Sequence, residues 1–98
     1  MKPALYRFTI RPGRQSEVEL PLGAAVTGAS LVYGGGPVSA AVYLVADRHQ
    51  QKTTIRRFTM TAISAPMSDD MMATSRGVAR VTNSAGVPTD WKIVEITR

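Results

Sequence analysis

The chain predicts an all-β fold: a single-domain antiparallel β-sandwich or small barrel of six to seven strands, with one short helix near residues 68–76. Three observations carry that prediction. Short segments alternate apolar and polar residues with the period of two that a half-buried strand requires. Turn residues, drawn from eight Gly and six Pro, separate those segments at nearly regular spacing. The longest apolar run, residues 38–47, is too short to cross a membrane as a helix and reads as a central strand buried on both faces.

The elements follow in order. Residues 4–10 alternate, with Tyr6, Phe8 and Ile10 on one face and Leu5, Arg7 and Thr9 on the other. Arg11-Pro12-Gly13-Arg14 is a turn, because Pro presets φ and Gly tolerates φ > 0. Residues 17–20 send Val18 and Leu20 inward and Glu17 and Glu19 outward, and Pro21 ends the run because it cannot donate to a ladder. These first two strands read as a hairpin. Residues 25–33 form a third strand interrupted by Gly28, which suggests a bulge or a close backbone approach. Gly34-Gly35-Gly36-Pro37 turns the chain into the central strand, and the polar loop from Arg48 follows it. Residues 54–63 alternate with Phe58 and Met60 on the inner side; Arg57 faces outward, and Arg56 at the start of the strand reaches solvent. The helix signal comes next. Ser68 is a good N-cap, Asp69 and Asp70 fall in the first turn, and Arg76 sits at the end before Gly77. Met67 and Met72 are spaced to staple that cap. Residues 77–81 form a short strand, and residues 91–96 close the fold with Trp91 and Ile93 on one face.

A chain of 98 residues makes one domain, residues 1–98, with a single core between two layers. Its apolar fraction of 44% is ordinary for a folded domain and argues against disorder. With no cysteine, disulfide and thiolate chemistry are excluded, and an intracellular, cytoplasmic setting is favoured. Arg7 and Arg11 arrive before any apolar run able to serve as a signal peptide, and no run approaches the roughly 20 residues of a membrane span. The residues therefore predict no membrane partner.

Catalysis finds no constellation in the sequence. His49 is the single histidine and lies in a polar loop beside Asp47, with no nucleophile elbow around any serine. One His without Cys cannot furnish four N or S ligands for zinc, and Asp69-Asp70 is accounted for as helix N-terminal charge, so no metal and no cofactor are expected. Gly34-Gly35-Gly36 lacks the Lys-Ser/Thr of a phosphate loop and joins strand to strand.

The formal charge of +5 leaves two readings open. It suits a small basic nucleic-acid-binding barrel, with Arg7, Arg48, Lys52, Arg56 and Arg57 on phosphates and Tyr33 or Tyr43 stacking on bases. It also suits the ordinary surface charge that keeps a small domain in solution, which the spread of basic residues along the whole chain favours. Clustering of those cations on one face decides between them.

Tyr6-Arg7-Phe8, the stretch Val18-Glu19-Leu20-Pro21-Leu22-Gly23-Ala24, Val42-Tyr43-Leu44-Val45-Ala46-Asp47, Arg57-Phe58 and the closing Trp91-Lys92-Ile93-Val94-Glu95 resemble a family of small phage and prophage proteins of unknown function. In that family an ELP-x-GA-like turn precedes a strand, and an aromatic strand ending in an acid closes the domain. The chain departs from the pattern at Thr59-Met60-Thr61, where a glycine-bearing segment is common, at Lys92, where a histidine often sits, and in a longer segment over residues 68–81. The resemblance implies a β fold and a phage setting, hence the host cytoplasm, and carries no active site. Edge strands in a β domain of this size must be covered, blunted or paired. The expected function is therefore that of a non-enzymatic phage accessory protein that binds protein, either itself as a homo-oligomer or a host factor, with an anti-defence role as one form. A nucleic-acid binder and a minor virion component are the alternatives.

Overall fold

The computed structural model describes residues 2–32, 38–63, 75–81 and 90–96. Among these lie seven strands: β1 (Pro3–Ile10), β2 (Gln15–Pro21), β3 (Ala25–Leu31), β4 (Ala40–Asp47), β5 (Thr53–Ala62), β6 (Ser75–Val81) and β7 (Trp91–Ile96). They form two antiparallel sheets, one ordered β1-β4-β3 and the other β2-β5-β7-β6, in a sandwich-like arrangement.

Alternation decides what lies between the sheets. Tyr6, Phe8 and Ile10 of β1, Val42 and Leu44 of β4 and Leu31 of β3 face Val18 and Leu20 of β2, Phe58 and Met60 of β5 and Ile93 of β7. Phe8 and Phe58 bridge the layers, with ring centroids 5.0 Å apart and planes tilted by 42°. Burial of this apolar surface, at about 25 cal/mol per Å² removed from water, is the main term holding the layers together.

The sequence-predicted helix is not part of the described fold. Ser75 and Arg76, the end of the expected 68–76 segment, belong to β6, where Ser75 pairs with Ile96 and Arg76 with Glu95. Residues 68–74, with the Ser68 cap, lie outside the described residues. A ladder against β7 outweighs the weak helix signal of so short a stretch, which needs packing to persist.

The expected β1–β2 hairpin is also corrected. β1 pairs with β4 from Pro3↔Asp47 to Ile10↔Ala40, whereas β2 pairs with β5 from Gln15↔Thr59 to Pro21↔Thr53. The turn between them crosses from one sheet to the other, with Gly13 at φ 76° and a parallel bridge from Pro12 to Met60. Two neighbouring strands with one apolar face each satisfy burial by facing each other as well as by pairing edge to edge.

β4 is central in its sheet and buried along Ala40, Val42, Leu44 and Ala46, but its outer face is not fully covered, since Tyr43 there is 39% exposed. Among the described residues the one other sheet packs on the inner face, and no layer covers the outer one. Gly28 does coincide with a bulge: the β3–β4 register shifts between Val26 and Gly28. A second shift, between Gly77 and Ala79, interrupts the β6–β7 ladder.

Candidate binding cleft

Alternation along β5 sends Arg56 to the same side as Phe58 and Met60, into the interior, and not to solvent as its position near the start of the strand suggests. Alternation along β7 does the same to Glu95, which shares the face of Trp91 and Ile93. The register places Glu95 opposite Phe58 on one side and opposite Arg76 on the other, so Arg56 reaches it on the diagonal, two residues along β5.

The resulting contacts form a compact network. Arg56 Nε donates to Glu95 Oε2 at 2.7 Å and Nη2 to Oε1 at 2.7 Å, a bidentate fork. Its remaining terminal nitrogen, Nη1, donates to the carbonyl of Ala24. The guanidinium carbon lies 5.6 Å from the Phe58 ring centroid, within cation–π range. Arg76 Nη2 adds a bond to Glu95 Oε1 at 3.1 Å. The Arg56 and Glu95 side chains are only 13% and 9% exposed, whereas Arg76 is 64% exposed. The fork from Arg56 holds the Glu95 carboxyl below its ordinary range against the opposing effect of burial, and Arg76 acts in the same direction. The same bond raises Arg56, again against burial. Both groups stay ionised.

Arg56 and Arg76 of this network line a cleft of about 270 Å³. One wall is Ala24 with the first residues of β3, Ala25 and Val26; the other is Arg76, Gly77 and Val78 of β6. β3 and β6 are edge strands of opposite sheets that approach each other, so the cleft lies along the seam where the two sheets meet at one side.

The other sequence-predicted positions are dispersed. Arg7 lies on the outer face of the three-stranded sheet, directly across from Tyr43. Tyr43 is further fixed there by a 3.2 Å hydrogen bond between its hydroxyl and that of Ser30. Arg57 lies on the outer face of the other sheet, where its Nε donates to Glu17 Oε1 at 3.0 Å. Arg48 and Lys52 are exposed in the β4–β5 loop. Tyr33 lies outside the described residues. The fold thus brings Arg7 to Tyr43, separates Arg56 from Arg57 across a sheet, and leaves the loop cations apart from both.

His49 contributes its backbone N–H to Asp47 Oδ1 at 3.0 Å, a turn contact that lowers the Asp47 carboxyl. Among the described residues no three His, Asp or Glu side chains converge as a metal-holding group, and no helix is long and apolar enough to cross a membrane. Sequence reasoning missed the Arg56–Glu95–Arg76 network, although its signal was present: Arg56 and Glu95 each occupy an inward position of an alternating strand, and opposite charges in that position require a partner. No protein-family model matches the chain, no curated protein matches it, and no solved structure matches it.

Proposed function

We propose that the protein acts by protein–protein binding, without catalysis, as an accessory factor in a phage setting. The phage setting rests on the sequence resemblance. The binding mode rests on one observation: β1 pairs on one side only, with β4, and among the described residues its other edge has no partner. An unpaired edge presents a row of backbone donors and acceptors that a further strand can complete. The side chains along it do little to prevent this. Leu5 is 83% exposed, and only Pro3 and Arg7 blunt the edge.

A second copy is the occupant this edge favours. Antiparallel pairing of β1 with its own copy in the register that sets Leu5 against Leu5 also sets Arg7 opposite Pro3, which avoids the juxtaposition of like charges. Leu5→Lys tests the reading, because a surface substitution away from the core leaves the fold within about 0.5 kcal/mol while adding repulsion at the seam. Light scattering coupled to size exclusion is expected to give a wild-type oligomer and a Leu5→Lys monomer. A wild-type chain that runs as a monomer at every attainable concentration rejects self-pairing through β1.

Arg7 facing Tyr43 on an exposed sheet surface supports a second reading, in which that face holds single-stranded nucleic acid. The opposite placement of Arg57, engaged with Glu17, weighs against a broad basic footprint. The same chromatography with an oligonucleotide separates the readings: co-migration that fades as salt rises favours nucleic acid.

A further inference from the structure

We propose that the cleft between β3 and β6 is a binding site for a monoanionic carboxylate, with Arg76 making the direct contact. This goes beyond the β1 edge and does not depend on it, since the two lie at opposite edges of the three-stranded sheet.

Charge comes first. Two guanidinium groups share one carboxylate, so the network carries a single surplus positive charge. Arg56 already engages both oxygens of Glu95 at 2.7 Å, and Arg76 is left with a longer bond to an oxygen in use. Among the described residues that bond is the only one Arg76 makes, and four of its five N–H donors remain for a ligand. Its exposed position at the mouth of the cleft puts those donors where a solute arrives.

Space comes second. A side chain begun at Gly77 would meet no heavy atom within 4 Å, so the surface of β6 beside Arg76 is open. Both flanking strands carry a register shift at this point, at Val26/Gly28 and at Gly77/Ala79. Bulges break a ladder locally and re-aim side chains, and they concentrate beside functional sites. The volume of about 270 Å³ lies just under the usual range for small-molecule sites, which suits a short-chain acid or one acidic side chain of an extended peptide.

Chemistry selects the ligand class. A planar guanidinium matches a carboxylate bidentately. The small apolar walls at Ala25, Val26 and Val78 fit a short aliphatic stem. Glu95, bound to both lining arginines, opposes the second charge of a dianion, so a phosphate is a poorer fit than a monocarboxylate.

The site is tested by following backbone amide NMR signals of the whole protein during titration with butyrate, with butyramide, with inorganic phosphate and with a capped tripeptide bearing one glutamate. Saturable shifts confined to residues 24–26 and 76–78 are expected with butyrate or the tripeptide, and none with butyramide. Tighter binding of butyrate points to a free acid as the natural ligand, and tighter binding of the tripeptide to a peptide. Arg76→Gln should weaken binding by about tenfold or more, the scale of one charge-assisted hydrogen bond. Gly77→Val keeps both arginines but adds bulk at a cleft-lining position, and should weaken the binding. Shifts that never saturate, phosphate binding as tight as butyrate, or unchanged binding in either variant overturns the proposal. Leu5→Lys should leave the titration unaltered, so the cleft and the β1 edge fail separately.

Discussion

Replacing Glu95 with glutamine removes the one negative charge that Arg56 has in the interior. The side chain keeps its size, so the effect reports charge and not packing. Breaking a buried ion pair by removing one partner costs about 3–5 kcal/mol, because the survivor stays desolvated and uncompensated. With Arg56 at 13% exposure and a cleft open beside it, the low end applies, about 3 kcal/mol. A domain of this length has a stability of about 5–15 kcal/mol, so the loss is a large share of the whole. At about 4–8 °C per kcal/mol, the midpoint of thermal unfolding should fall on the order of 12–24 °C. Trp91, the single tryptophan, packs against the core and reports urea unfolding by fluorescence. Replacing both partners, Arg56→Leu with Glu95→Leu, should recover most of the loss, since a hydrophobic pair of similar volume removes the orphaned charge. A loss below about 1 kcal/mol in Glu95→Gln refutes the reasoning, because that is the range of an exposed pair. Acid should imitate the substitution. The Glu95 carboxyl is held below its ordinary value of 4.5, so its contribution is complete above that pH and is lost as pH falls through the depressed folded-state value. Urea curves of wild type and variant should differ at neutral pH and converge only in acid well below 4.5.

Two further substitutions probe other parts of the fold. Glu17→Gln removes a carboxylate of the same type from an exposed cross-strand pair with Arg57, and should change the urea midpoint by no more than about 1 kcal/mol equivalent. Gly23→Ala should destabilise by about 1–2 kcal/mol in the same assay, because Gly23 takes φ 86° in the turn closed by the 3.1 Å bond from Ala24 N to Pro21 O, and an L side chain is strained there whatever the space.

Much of the fold was legible because its signals are local. The inward set Tyr6, Phe8 and Ile10, the central place of β4 and the irregularity at Gly28 all follow from alternation or from one residue's backbone freedom. Pairing was not legible. Nearness in sequence suggested that β1 and β2 form a hairpin, but their partners, β4 and β5, are chosen by facing two layers across a core, which no local pattern records. At residues 68–76, capping residues spoke for a helix, and the ladder from Ser75 to Val81 against β7 shows that long-range pairing prevailed where the two overlap. The cleft was obscured by a different assumption. A position at the start of the strand lets Arg56 be read as reaching solvent, although alternation puts it on the inner face with Phe58 and Met60.

Because β1 and β2 lie in different sheets, each must wait for a partner made well after its neighbour in the chain, β4 for β1 and β5 for β2. Among the described ladders only β3–β4 and β6–β7 join strands that follow one another; β1–β4, β2–β5 and β5–β7 all close larger loops. Loop closure costs entropy before its contacts form, so the two hairpins are the cheap early steps and the remaining pairings set the pace, as in other folds of high contact order. During that interval β4 carries a bare edge on an apolar strand, the kind of surface through which partly folded chains aggregate. Docking of β1 covers it, and moves the open edge of that sheet from apolar β4 out to β1.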